Sequence, residues 1–514
     1  MYMTQGLHRA VQQRPDQVMT VFGLRKRTFR EVADRVARLA GALRGLGVHD
    51  GDRVAMLSLN SDRYNEYLLA VPWAGAVLNP VNTRWSVQEI AYSLCDSDTR
   101  VLLVDDAFAP MAPALQESCP ELMTVIHAGD GPAPPGTLDY EEILASSDPM
   151  ADRRRGGDEL AGIFYTGGTT GFPKGVMLSH ANLGTSWLGS AAGGDLCGPD
   201  SRTLHVAPMF HLADLLSWGL TLLSGGTQVI MPSFEPRAVL GAIAEHRVTD
   251  ALLVPTMIQM LADHPDVGRC DLRSLRRVLY GASPITPAVL RRAMKAFPDA
   301  SFTQAYGMTE LAPVATLLSP SDHAGERLMS AGRAAPHAEI RIVDADGTPL
   351  PTGAVGEVTV RGGNVMLGYW NKPEDTAAAL RDGWMRTGDV GHLDEAGYLY
   401  IVDRIKDMIV TGGENVYSAE VEAALASHPA VAQCAVIGVP DPDWGERVHA
   451  VVVVHPGADV TIGELRAHAK TLVAGYKAPR SLEIVDMLPV SGTGKVLKRD
   501  LRTRHWGGSD RGVS

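Results

Sequence analysis

The chain has 514 residues, 45% of them hydrophobic and 21% charged, an ordinary globular balance at a length that implies more than one domain. A formal net charge of -12 argues against non-specific nucleic-acid binding, whose affinity comes from neutralising phosphates. It leaves room for a small anionic ligand in a locally basic cleft.

Helices and strands alternate from the start. Thr28 and Glu31 form a capping box, and Val32, Val36, Leu39, Leu43 and Leu46 follow at helical spacing, with Gly47 suited to the stop. Arg53–Leu59 reads as a strand, Ser86 and Glu89 cap a second helix, and Val101–Val104 reads as another strand. The pattern predicts an α/β fold with parallel strands. Residues 127–159 are rich in Gly, Pro and Asp and carry Arg153-Arg154-Arg155; they are expected to form a surface excursion, with the arginines in a solvated turn. Ile163-Phe164-Tyr165 resumes the strands. Leu215–Phe234 is the longest uncharged stretch, but its Ser, Gly, Gln and Pro content predicts buried core rather than an integral membrane segment.

From Tyr398–Val402, read as a strand, the pattern becomes compact α+β. Ser418 starts a helix with Glu420 and Glu422 in its first turn. Ala435–Val439 and Ala450–Val454 read as strands, and Thr461 with Glu464 caps a further helix. A large multi-subdomain N-terminal domain with mixed sheets is expected over residues 1–402, joined by a hinge to a small α+β domain over 403–514.

Five cysteines lie far apart, with no CxxC pair and no zinc spacing. The odd, sparse set fits a reducing compartment, each thiol being expected as a small buried hydrophobe. Met1–Ala10 lacks a basic, then apolar, leader pattern, and Arg511–Ser514 is not a peroxisomal tripeptide, so a cytoplasmic location is expected.

The most informative stretch runs from Tyr165 to Gly175: Thr166, Gly167, Gly168, Thr169, Thr170, Gly171, then Pro173-Lys174. It follows a strand. Its glycines admit close backbone approach, hydroxyls and N–H groups can donate to phosphate oxygens, and Lys174 adds positive charge. Pro173 before the lysine, and no Ser/Thr after it, exclude a Walker A loop. Three weaker segments share this logic. Tyr306-Gly307-Met308-Thr309-Glu310 offers an aromatic face, a hydroxyl and a carboxylate fit for Mg²⁺. Trp384–Asp389 places a carboxylate in a turn, where it can reach ribose hydroxyls. Ser491–Lys495 sets a lysine on a glycine loop.

In combination and order these segments, with Pro208–His211, Gly281-Ala282-Ser283-Pro284, Asp403–Asp407 and Gly412–Asn415, resemble the adenylate-forming superfamily over nearly the whole chain. The resemblance looks closest to fatty-acid and aryl-acid CoA ligases. It implies that Thr166–Thr170 and Lys174 hold the β- and γ-phosphates of ATP and that Thr166 and Glu310 associate with Mg²⁺. It implies that Gly281–Pro284 and Tyr306 sandwich adenine, with Gly307 and Met308 alongside, and that Thr309 contacts the α-phosphate. Asp389 and Arg404 would bind ribose, and Lys495 would bridge the acyl carboxylate and α-phosphate. Lys406 matches the hinge, and Gly412 and Gly413 would face the CoA thiol channel. His211, Leu215, Gly281 and Gly307 would line the acyl pocket, His211 as a pocket wall or as a catalytic group. Gly167 departs from the pattern, which usually has serine there, so one hydroxyl donor is missing.

The implied reaction is ATP-dependent activation of an apolar carboxylic acid to an acyl-adenylate, releasing pyrophosphate, then transfer to coenzyme A after the small domain swings about the hinge. The acid is expected to be fatty or aryl, since Leu215, Trp218, Ala282 and Met308 offer apolar wall and no charge partner. Rival readings change the acceptor to a carrier-protein thiol, an amine or nitrite, or make the chain a luciferase-like oxidoreductase. The other expected partners are small molecules, with a homodimer among the expected assemblies.

Overall fold

The computed structural model describes residues 1–167, 172–412, 414–490 and 496–506. The fold is mixed α/β and divides into two compact units: Met1–Ile340 with Val360–Met385, and Arg341–Thr359 with Arg386–Ser514.

The larger unit is built on two sheets. Among the described residues the first has nine strands, and in its middle Val18–Phe22, Thr227–Ile230, Arg202–His205, Asp250–Leu253, Arg277–Gly281 and Ser301–Tyr306 run parallel. The second has eight, with Leu138–Asp139, Thr124–His127, Val101–Val104, Arg53–Leu57, Val77–Pro80 and Leu160–Thr166 parallel, closed by antiparallel Lys174–Ser179 and Gly368–Tyr369. Parallel strands need crossovers, and the amphipathic helices supply them. Helix Phe29–Gly45 instead links strand Arg25–Thr28 of the first sheet to Arg53–Leu57 of the second; both hydrogen bonds of its Thr28/Glu31 capping box form, and Val32, Val36, Leu39 and Leu43 are fully buried. The Ser86/Glu89 and Thr461/Glu464 boxes form as well.

The uncharged stretch becomes helix Leu212–Ser224 followed by strand Thr227–Ile230, both inside the protein, as its interrupted composition predicts. No helix among the described residues is long and apolar enough to cross a membrane.

Three expectations differ from the structure. Residues 127–159 are not all loop, because strand Leu138–Asp139 and helix Tyr140–Ser146 sit within them; Arg35 and Arg63 bind Glu141 there, and Tyr140 is buried. Asp389 lies within strand Trp384–Leu393 rather than in a turn. Cys95 is not a small buried hydrophobe: it is exposed and joined in a disulfide to buried Cys119, the Cα atoms 5.6 Å apart.

In the smaller unit, strand Val431–Asp441 pairs antiparallel with Gly445–Val454, which pairs parallel with Ser481–Ile484. Helices Ser418–Ala426, Ile462–Ala469 and Lys498–Trp506 belong to the same unit. The compact division at 385/386 precedes the 402/403 boundary read from the sequence. Trp384–Leu393 pairs with Leu399–Arg404, so the latter strand is held by its hairpin partner within the same unit.

Candidate active site

Strands Leu160–Thr166 and Lys174–Ser179 form an antiparallel hairpin in which Thr166 faces Lys174 and Tyr165 faces Gly175. Thr166 and Lys174 thus stand side by side at the two ends of the glycine-threonine segment. Gly168, Thr169 and Thr170 lie outside the described residues, as do Gly413 and Lys495. Gly167 is exposed, and a Cβ added there meets nothing within 4 Å. The missing serine hydroxyl is thus not excluded by crowding.

The hairpin is anchored from behind by helix Val87–Asp96. The Tyr165 hydroxyl donates to the Asp96 carboxylate at 2.6 Å, and Phe172 stacks on Tyr92 with ring centroids 4.5 Å apart. The Trp370 indole donates to the Asp96 carbonyl at 2.8 Å, and its backbone N–H donates to the Gly175 carbonyl at 2.7 Å.

Lys174 does not project alone. Its ammonium pairs with Asp375 and lies 5.3 Å from the centroid of the Tyr369 ring. Tyr369, opposite Val176 on the added edge strand, donates its hydroxyl to Oε1 of Glu310 at 2.8 Å. Burial, reinforced by the Glu310 charge, raises the Tyr369 phenol well above the ordinary tyrosine value, so it stays a donor at neutral pH. Glu310 sits in the short turn Thr309–Leu311 and is only 6% exposed. A chain of contacts thus runs from Thr166 through Lys174 and Tyr369 to Glu310. Neither Tyr369 nor Asp375 was singled out from the sequence. The Gly368-Tyr369-Trp370 triplet was a usable signal, whereas Asp375 looks like any acidic residue in a helix first turn.

The next group lies where two parallel strands end. Gly281 is opposite Ala305, so Gly281–Pro284 and Tyr306–Thr309 leave adjacent strands side by side. Ligands of open α/β sheets bind at such carboxyl ends. A Cβ on Gly281 would lie 2.1 Å from the Ala305 carbonyl oxygen, so only glycine fits. Ala282 has φ of 66° and Tyr306 is half-buried.

His211 precedes helix Leu212–Ser224, where Leu215 is buried. Its ring lies against Phe210, centroids 4.1 Å apart, and its Nε2 is enclosed without a hydrogen-bond partner. Burial, with a smaller contribution from the charge of Arg84, lowers this imidazole to about 4, so it is neutral at pH 7.

In the smaller unit, Asp389 and Arg404 face each other across a hairpin with Oδ1–Nε at 3.1 Å, and Asp389 is 7% exposed. Asp403 accepts from the backbone N–H and hydroxyl of Ser418, while Asp407 pairs with Arg502 at 2.8 Å. Lys498 joins Glu422 at 2.7 Å and donates to Ser418 Oγ at 2.6 Å. Burial lowers Lys406, between the two aspartates, below the ordinary lysine value. Gly412 has φ of +61°, and a Cβ there would lie 2.4 Å from the Trp444 ring. That ring carries the Arg480 guanidinium 4.1 Å from its centroid, a contact invisible in sequence.

Comparison with known proteins identifies the family. The family model described as AMP-binding enzyme matches residues 7–370, and the AMP-binding enzyme C-terminal domain matches residues 420–495. A feruloyl-CoA synthase of Amycolatopsis sp is 44% identical over 93% of this chain and 94% of its own length. The fatty acid–[acyl-carrier-protein] ligase ScoC of Streptomyces coeruleorubidus is 37% identical over 95% of this chain and 93% of its own. Among solved structures, the amide bond synthetase McbA from Marinactinospora thermotolerans superposes with a TM-score of 0.88 at 36% identity, covering 98% of this chain and 99% of that one. Two matched domains and relatives of this identity over nearly full length place the chain in the AMP-binding enzyme family, among the adenylate-forming acid–thiol ligases.

Proposed function

We propose that the chain activates an apolar aryl acid with ATP and transfers the acyl group to coenzyme A, with fatty acids as the next substrate class. The observation that carries the adenylation is the contact chain Thr166–Lys174–Tyr369–Glu310, which gathers a hydroxyl, a cation and a buried carboxylate beside the phosphate hairpin. The aryl preference is supported by the likeness to feruloyl-CoA synthase and by the largely buried Leu212–Ser224 helix behind His211.

In the first half-reaction a carboxylate oxygen attacks the α-phosphorus of ATP, the bond to the bridging oxygen breaks, and pyrophosphate leaves. Lys174 and the hairpin N–H groups hold the β- and γ-phosphates, Gly281–Pro284 and Tyr306 flank adenine, and Thr309 binds the α-phosphate. Asp389 and Arg404 hold ribose, while Lys495 neutralises the approaching carboxylate and α-phosphate. Preorganised charge of this kind supplies most of the rate in phosphoryl chemistry. Thr166 and Glu310 are hard-oxygen donors of the type Mg²⁺ takes. Bound there, the ion neutralises phosphate charge. In the second half-reaction the CoA sulfur attacks the acyl carbon and AMP leaves as the C–O bond breaks. Gly412 and Gly413 give the thiol its path. Lys406 is the pivot between the steps, just beyond strand Leu399–Arg404, whose pairing with Trp384–Leu393 keeps Asp389 and Arg404 together. A neutral His211 supports a pocket-wall role over a general base, since a base of pKa about 4 holds protons poorly at pH 7.

The test is pyrophosphate release over ferulate, cinnamate, octanoate and palmitate, with and without CoA. Aryl acids should turn over best, and CoA should be consumed one for one with AMP formed. An amine as acceptor is the second reading, supported by the likeness to McbA. Undiminished acyl-adenylate on adding CoA, with turnover restored by amines, would replace the first reading with it.

A further inference from the structure

The sheet of the smaller unit carries a cluster that adenylation does not use. His449 lies on strand Gly445–Val454 opposite Ser481, and Glu483 sits two residues along the neighbouring parallel strand. Side chains two apart on a strand share a face, so His449 and Glu483 project to the same side. Helix Lys498–Trp506 lies on the face that also carries buried Val451. Its Leu501 is buried in the same cluster as Val451, and four residues on, one turn further along the same helix face, comes His505. The Trp506 indole pins the helix end by donating to the Gly438 carbonyl at 3.0 Å.

The nitrogen and oxygen atoms these three residues offer lie within 4.8 Å of one another. Nε2 of His505 is 3.5 Å, and Nε2 of His449 is 3.8 Å, from Oε2 of Glu483. Ligands about 2.0–2.1 Å from a tetrahedral ion stand roughly 3.3 Å apart, so small rotamer shifts close the set. His449 is only 5% exposed, and its Nε2 has no hydrogen-bond partner. Its other nitrogen, Nδ1, is hydrogen-bonded to Ser481 Oγ at 2.7 Å, the second contact that orients a metal-bound imidazole. At 3.8 Å the Glu483 carboxylate faces Nε2 beyond hydrogen-bond reach, and a cation between them satisfies both. Arg504 lies 3.6 Å from the other Glu483 oxygen and keeps that carboxylate turned toward the cluster.

We propose that His449, Glu483 and His505 form a binding site for a divalent zinc-class cation, which ties the last described helix to the sheet. Two imidazoles and one carboxylate are the donor set of a borderline-soft ion, not of Mg²⁺. Three protein ligands leave a fourth position for water, but the site is structural: its ligands come from two strands and one helix of a single packed layer, and none belongs to the residues assigned to adenylation.

The experiment uses the full chain without a polyhistidine tag, stripped with a chelator and titrated with Zn²⁺ itself. About one Zn²⁺ per chain should bind, with a rise in Tm that Mg²⁺ at the same concentration does not produce, and Co²⁺ should give the visible spectrum of a tetrahedral site. His505→Ala, at an exposed position, should stay folded, weaken Zn²⁺ binding by at least about tenfold, and lose the Tm response. Glu483→Gln should do the same to a lesser degree. Zinc that fails to bind, or that binds and stabilises His505→Ala as it does the unaltered chain, overturns the proposal. Adenylation is not the readout, so failure here is distinguishable from failure of the function proposed above.

Discussion

Replacing Tyr369 with phenylalanine tests whether the contact chain beside the phosphate hairpin serves the nucleotide. The change removes one hydroxyl and leaves the ring, its place opposite Val176 and its position beside Lys174. What is lost is a 2.8 Å donor to a carboxylate that is 6% exposed. A hydrogen bond to a buried charged group contributes about 1.5–3 kcal/mol. If that energy holds Glu310 in its working orientation, kcat/KM for Mg·ATP should fall by about 10- to 100-fold. The assay is pyrophosphate release at saturating acid with Mg²⁺ and ATP varied, on Tyr369→Phe, Glu310→Gln and the double variant. Because the hydroxyl acts through the carboxylate, Tyr369→Phe should add little to Glu310→Gln, whose own loss should appear chiefly in Mg·ATP affinity. Full additivity, or unchanged kinetics in Tyr369→Phe with unchanged Tm, would refute the reasoning.

Gly167→Ser should lower KM for ATP by about 2- to 10-fold, the worth of one added solvent-exposed hydrogen bond, because the position is open; a higher KM would show that the backbone, not space, forbids serine. Lys495→Ala should slow adenylation by roughly 10²–10³ yet still pass acyl groups from synthetic acyl-adenylate to CoA, and Gly413→Trp should do the reverse; equal damage to both steps in both variants would rule out alternation. His180 is buried and held neutral, chiefly by burial, with its pKa lowered to about 4 from an ordinary 6.5. Its folded value is depressed, so its stability is present above pH 6.5 and is lost as pH falls toward 4, roughly 3 kcal/mol at the limit. Urea midpoints should therefore drop more between pH 7.5 and 4.5 in the unaltered chain than in His180→Gln, and parallel curves would dismiss this role.

Local signals carried much of the architecture. Thr28, Ser86 and Thr461 each mark a helix start because a capping box is complete within four residues. Val101–Val104 reads as a strand because an unbroken apolar run suits a strand buried on both faces. The proposed phosphate site could be read at Thr166 and Lys174 because glycine, hydroxyl and cation fall together in one segment. The contacts made by Tyr369, Asp375 and Asp96 were not legible. Their partners Glu310, Lys174 and Tyr165 stand 59, 201 and 69 positions away, so only the tertiary packing of strands, helices and turns brings them together. The Cys95–Cys119 bridge was missed for a related reason: a spacing of 24 residues has no local signature, and the approach of the two thiols depends on how helix Val87–Asp96 packs.

The pairing of Lys174 with Asp375 bears on how a nucleotide enters. A lysine waiting bare would add its full charge to the pull on an incoming polyphosphate, and would hold the pyrophosphate as firmly afterwards. Here the ammonium already has an anion, and Asp375 is 39% exposed, so it is readily rehydrated once displaced. On the proposed reading, capture is therefore an exchange of one anion for another. Affinity is tempered by the intramolecular competitor, whose effective concentration no dilution can lower. The same carboxylate reclaims the lysine when pyrophosphate departs, so the residue that weakens capture also hastens the return to the starting state.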